Sequence, residues 1–406
     1  MNAFERLIRY TTFPTASDES NPACPSTPGQ RIFAEALADE LRALGVPDVT
    51  LDENGYLFAA LPASAGCESA PALGFIAHMD VSPDAPDHPV RPRVVRYEGG
   101  DILLNEVQDI RLSPAEFPIL NGYVGKTLLV TDGTTLLGAD DKAGIAEIVT
   151  ACAQLLADPA RRHPALRIAF TPDEEIGRGA DRFDVERFGA KYAYTVDGSS
   201  FGSVNYETFN AASLTVHITG RSIHPGGAKN KMINASLVAS EYIQLLPALE
   251  RPEHTDGYDG FYHLTEMHGT VESAQLHLIL RDHDRARLEY RKAYARRAAD
   301  ELNRRYGART VSVEIRDSYR NMREKIEPAF HLVDRAYDAI RSLGAEPVST
   351  PVRGGTDGCV LSFRGLPCPN LGTGSHNHHG RFEFACAEEM ALCTELILRI
   401  AEQYCE

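Results

Sequence analysis

Residues 166–179 read LRIAFTPDEEIGRG: an apolar run, then a proline, three acidic residues and two glycines within nine positions. LRIAF has the length and composition of a buried strand. Side chains alternate across a strand, so Glu174 and Glu175 at its end are expected to point in different directions and to do different jobs. Open α/β sheets collect their ligands at the carboxyl ends of their strands, which is where such carboxylates would stand.

The surrounding elements alternate. LGFIAH (73–78) reads as a strand, residues 81–100 as a loop rich in Pro and Asp, and TLLVTDG with TTLLG (127–138) as a hairpin before a helix from about Lys142 to Leu156. KYAYTV (191–196) is a further strand, and an amphipathic helix covers 30–44, ended by Gly45. This alternation gives an α/β domain whose mostly parallel central sheet is flanked by helices. Near residue 208 the pattern changes. SLTVHITG (213–220) alternates like a half-exposed strand; a helix (234–246), two paired strands (261–282), a charged helix (285–307) and a strand (310–319) follow. The order β-α-β-β-α-β is the ferredoxin-like plan of a compact inserted α+β domain. The expected organisation is a discontinuous domain of residues 1–207 and 321–406, closed by helices at 330–343 and 388–403, and interrupted by an insertion of residues 208–320.

The 406 residues are 43% hydrophobic and 24% charged, enough for a large core. A formal net charge of -16 argues against a nucleic-acid partner. No stretch approaches the ~18 apolar residues of a membrane span, and the opening MNAFERLIRYTTF has no apolar leader segment. Eight cysteines without a C-x-x-C pair read as free thiols of a reducing compartment, so a cytoplasmic location is expected.

Acidic and histidine residues recur just past the expected strands. HMD places His78 and Asp80 on one side, and a carboxylate can orient a ligand imidazole through its second nitrogen. In LGADDKAGIAEI, one of Asp140 and Asp141 suffices to cap the coming helix, which leaves the other for a ligand. Glu174 and Glu175 follow, then Asp197 in YTVDGSS, and finally His376, His378 and His379 in SHNHHGRFEF, among which spacing does not choose. Nitrogen and oxygen donors without thiolate suit Zn²⁺, Mn²⁺ or Co²⁺. A pair of metals ~3.5–4 Å apart needs about this many ligands, one of them bridging. The residues therefore point to a dinuclear metal hydrolase.

The order HMD, GADDKAG, DEE, VDG and HHG resembles the zinc-dependent exopeptidase clan of dinuclear aminopeptidases, carboxypeptidases and N-deacylases. The fuller wording LLGADDKAGIAEI, AFTPDEEIGRGA, YTVDG, FNAAS, YEGGDI, SYRNMREK, VRGGTDG and LPCPNL is similar, nearly end to end, to the peptidase T family of tripeptide aminopeptidases. The resemblance implies two divalent metals per subunit, most readily zinc, with cobalt or manganese as the other choices. It implies that His78, Asp140 and Asp197 hold one and that Asp140, Glu175 and His379 hold the other, with Asp140 bridging. Glu174 would be the general base, Asp80 would orient His78, and His224 in GRSIHPGGAKNKMINA would stabilise the oxyanion. Arg281 and Arg353 would bind the substrate's far end, with Asn210 assisting. The implied partner is a tripeptide, and the inserted domains of this clan often dimerise, so a homodimer is expected. An N-deacylase or dipeptidase of the same clan is the alternative.

Overall fold

The computed structural model describes residues 1–405. LGFIAH is buried at every position, as a strand covered on both faces must be. It pairs in parallel with Leu166–Thr171 and with Tyr192–Gly198, and His78 falls opposite Thr171. Asn370–Gly372 continues the parallel set beyond Tyr192–Gly198. Leu57–Leu61, Asp48–Leu51 and Val204–Asn205 join antiparallel, so the seven-stranded sheet is mixed and not mostly parallel. For Asp48–Leu51 and Leu57–Leu61 the short connection explains this, because a tight turn such as the one at Gly55 (φ 85°) can only return the chain antiparallel.

Ile76, Ala169 and Ala193 pack on one face of the sheet with Phe58, Phe183 and Phe188. Gly74 makes that packing possible, since a Cβ there would lie 2.6 Å from the Phe188 ring. The helix Ala139–Ala157 packs against the strands ending in His78 and Gly198 and is itself covered by Ala3–Tyr10 and Ala387–Gln403. It is buried almost all round, which is why its sequence carries so little amphipathic contrast.

The expected hairpin at 127–138 does not form. Thr127–Val130 pairs with Phe384–Cys386 and with Arg93–Arg96 in a separate four-stranded sheet. Arg93–Arg96 lies inside the segment read as loop; its residues are largely exposed and carry no apolar alternation to announce a strand. Nor are all eight cysteines free. Cys67 and Cys405 form a disulfide with Cα atoms 5.2 Å apart, and the other six are free thiols. Their separation of 338 residues leaves no spacing signal in the sequence. Among the described residues, no helix is long and apolar enough to cross a membrane.

The chain divides into two compact units, residues 1–206, 324–350 and 356–406 in the larger and 207–323 with 351–355 in the smaller. The smaller unit is a four-stranded antiparallel sheet in the order Phe261–Gly269, Ser273–Asp282, Asn210–Thr219, Val311–Tyr319, covered by the helices Ala235–Leu245 and Arg285–Tyr306. Residues 351–355, read from sequence as part of the larger domain, belong here because Val352 N–H bonds Glu207 O and the Arg353 carbonyl accepts from Arg281.

Candidate functional site

His78, 2% exposed, ends its strand with Nε2 3.0 Å from Asp140 Oδ1 and 3.5 Å from Asp197 Oδ1. The other oxygen of Asp140 lies 3.4 Å from His379 Nε2 and 3.4 Å from His378 Nδ1. Glu175 Oε2 lies 2.9 Å from the same His379 nitrogen. Asp140 therefore presents one oxygen to the His78–Asp197 side and the other to the His379–Glu175 side, the geometry of a bridging carboxylate. His378 is tied to the Ser375 hydroxyl through Nε2 (2.9 Å), whereas His379 meets both Asp140 and Glu175.

The local backbone explains each placement. Glu383 accepts the N–H groups of Leu137, Gly138 and Asp140 at 2.8, 2.7 and 2.9 Å, which fixes the loop that carries Asp140. Asp141 turns back to accept from His78 N (3.1 Å) and Gly144 N (3.3 Å), so it takes the capping role and leaves Asp140 to the site. Glu174 and Glu175 are not on the strand, which ends at Thr171, but on the 3₁₀ turn Glu174–Ile176. Their divergence comes from that turn and not from strand alternation. Buried Asp173, at φ 59°, anchors the turn through Ser26 N–H (2.8 Å) and Gln30 Nε2 (2.7 Å). Asp80 finishes it, accepting Glu174 N–H at 2.9 Å and Glu175 N–H at 3.0 Å. The expected orientation of His78 by Asp80 is met chiefly by the Asp80 main-chain carbonyl, 3.0 Å from Nδ1, with the carboxylate at 3.4 Å.

The electrostatics are those of a site built for cations. Burial pushes Glu174 well above the usual carboxylate range, with Asp197, Asp357 and Glu175 adding like charge. Burial also raises Glu175, to about 7, helped by Asp140, and it raises Asp197. Burial works against a charged His78, yet Asp197, Asp140 and Asp80 outweigh it and raise its pKa well above the imidazole range. Hydrogen bonds to Asp140 and Glu175 carry His379 up to about 11. Asp140 is buried too, but the three imidazoles hold it well below its ordinary value.

The residues present fit a pair of metals. His78, Asp140 and Glu175 offer ligand atoms within 4.8 Å of one another, and so do His78, Asp141 and Asp197. Glu175 Oε1 is buried without a hydrogen-bond partner, a charge-bearing atom that something must satisfy. The donors are imidazole and carboxylate throughout.

A pH dependence follows for the metal-free protein. Glu174, Glu175 and Asp197 have folded pKa values above their unfolded ones, so their stabilisation is full in acid and is lost as pH rises, for Glu175 through about 7. His78 and His379, also raised, act in the same direction. Lowered Asp140 acts oppositely, but its contribution is lost only in strong acid. Thermal stability of the chelated protein is therefore expected to fall from about pH 5.5 to about pH 8, and added metal to raise Tm more at the higher pH. Scanning calorimetry with and without metal checks this; a metal-induced rise that shrinks with pH contradicts it.

The remaining expected residues lie in the smaller unit. His224 is exposed, and its Nδ1 accepts from Gly226 N–H at 3.2 Å. Arg281 gives Nη1 to the Arg353 carbonyl (2.9 Å), while its buried Nε has no partner. Arg353 donates Nη1 to the carbonyls of Gly257 and Asp259 (both 2.9 Å) and Nη2 to Thr255, and lies over the rings of Phe209 and Phe261. Asn210 bonds Asp282 O and His283 O through its amide nitrogen, and Asn321 N–H through its oxygen. The expected substrate contact by Asn210 thus finds no unengaged polar atom to serve it. Sequence reasoning missed Glu383 and Asp173. The signal for Glu383 was a lone carboxylate inside the apolar FEF.

Comparison with known proteins gives the family. A curated protein named Peptidase T from Geobacillus sp. (strain WCH70) is 51% identical over 98% of each chain. The crystal structure of aminopeptidase PepT from Bacillus cereus superposes with a TM-score of 0.77 at 23% identity, covering 100% of both chains. That of a tripeptidase from Staphylococcus aureus gives 0.77 at 20%, covering 100% of this chain and 98% of the other. The model of Peptidase family M20/M25/M40 matches residues 132–403, and this chain belongs to that family.

Proposed function

We propose that this hydrolase is a two-metal aminopeptidase that removes the N-terminal residue of tripeptides in the cytoplasm. The observation that carries the reading is the cluster of His78, Asp197, Glu175 and His379 around Asp140, with Glu174 near it and outside the ligand set. The names of the relatives, Peptidase T and tripeptidase, supply the substrate class. His78, Asp140 and Asp197 would hold one metal and Asp140, Glu175 and His379 the other, zinc being the best match to such donors. Bound there, the pair supplies Lewis acidity that polarises a carbonyl and makes water acidic. Glu174 takes the proton from the attacking water and passes it to the leaving amine. His224, from a ferredoxin-like lid, donates to the oxyanion, and Arg281 binds the tripeptide carboxylate. Arg281 suits this better than Arg353, whose guanidinium is already held by the carbonyls of Gly257, Asp259 and Thr255, and a planar fork can bind a carboxylate bidentately.

Amidating the C-terminus of a good tripeptide is expected to lower kcat/KM at least ~10-fold, the scale of one charge-assisted hydrogen bond. Arg281→Ala should remove that difference. Arg353→Ala should instead loosen residues 255–259 and lower Tm. Equal cleavage of acid and amide by the unaltered enzyme would leave Arg281 without this role. The function itself is tested by hydrolysis of a di-, tri- and tetrapeptide series with and without chelator. Selective, metal-dependent release of the N-terminal residue from the tripeptide is expected; cleavage only of N-acylated substrates would make the protein a deacylase.

A further inference from the structure

One carboxylate at these strand ends has no part in the chemistry above. Asp357 opens the helix Asp357–Phe363 and is 6% exposed. The Thr171 hydroxyl donates to its Oδ2 at 2.7 Å, and Thr171 stands opposite His78 in the sheet. Asp357 therefore lies beside the metal-binding residues, close enough for its charge to act on Glu174. The other buried carboxylates there are already engaged. Asp80 takes two backbone N–H groups, Asp141 two, Glu383 three, and Asp173 is held by Ser26 and Gln30. Among the described residues, Asp357 has the one hydroxyl and no ion-pair partner within contact.

Gly179 adds an independent observation. A Cβ at that position would lie 2.3 Å from Asp357 Oδ1 and 2.5 Å from Oδ2. Its φ lies outside the left-handed region, so space for the carboxyl, and not backbone conformation, requires the glycine. A buried carboxylate without a cation is costly unless something arrives to pair with it. Burial accordingly pushes Asp357 up to about 7.

We propose that Asp357 receives the free α-ammonium group of the peptide and so makes the enzyme select substrates with an unblocked N-terminus. This rests on the aminopeptidase reading. An ammonium group is compact and carries three donors, enough to meet the carboxylate and still reach neighbouring acceptors. Gly179 leaves room for the carboxyl, and Thr171 holds one of its oxygens.

The test compares Leu-Gly-Gly with 4-methylpentanoyl-Gly-Gly, which differs only in lacking the amine. The unaltered metal-loaded enzyme should favour the free amine at least ~10-fold in kcat/KM. Asp357→Asn keeps an acceptor for Thr171 and removes the charge. It should lose about 10- to 100-fold on Leu-Gly-Gly, chiefly through KM, with the deaminated peptide unchanged and metal content and Tm retained. Gly179→Ala should move the preference the same way by displacing the carboxyl. An equal loss on both peptides, or loss of metal, would overturn the inference. So would equal cleavage of the two peptides by the unaltered enzyme, with tripeptide hydrolysis itself intact. Cleavage of neither peptide overturns the tripeptidase reading, and this inference with it.

Discussion

Glu174→Gln is expected to bind both metals and to lose ~10²–10⁴-fold in kcat, the scale of a missing general base. Glu174 lies among His78, Asp197 and Asp357 and outside both ligand-distance clusters, so removing its charge takes away a proton acceptor and no ligand. Its neighbour should behave differently. Glu175 stands 2.9 Å from His379 and has a buried, unpartnered oxygen, so Glu175→Gln should weaken one metal, and excess metal should recover part of the rate. Metal analysis beside steady-state kinetics separates the two phenotypes. Exchanged phenotypes would move the base by one residue.

Asp140→Ala is the second large effect. One of its oxygens faces His78 and the other faces His379, so a single substitution removes a ligand from both positions. Turnover should fall at least ~10³-fold, since several kcal/mol of transition-state charge stabilisation depends on the pair. Bound metal should fall below one equivalent. Asp141→Asn is the control. Asp141 receives the N–H groups of His78 and Gly144, so its loss should lower Tm more than metal content. If Asp141→Asn empties the site and Asp140→Ala does not, the bridging role belongs to Asp141.

What could be read in advance followed from how local each signal was. LGFIAH and LRIAF announce themselves because strands buried on both faces must be apolar throughout. The exposed strand Arg93–Arg96 and the short strand Asn370–Gly372 carry no such pattern, and pairing with distant segments alone makes them strands. The site residues were legible because His and carboxylates cluster just past strand ends. The carboxylates that hold their loops were not, because those act on backbone N–H groups far away in sequence. Asp80 and Glu174 are 94 residues apart, and Glu383 and Asp140 are 243 apart. Arg353 shows the same limit: its sequence motif pointed to substrate, while its guanidinium is engaged by the backbone of residues 255–259.

The most direct test of a two-metal tripeptidase is a metal titration. Chelated protein is titrated with zinc while release of leucine from Leu-Gly-Gly is followed. Activity is expected to start near zero and to level off close to two equivalents, with free leucine and Gly-Gly as the products. Full turnover before metal is added, or glycine released from the C-terminal end in place of leucine, would contradict it.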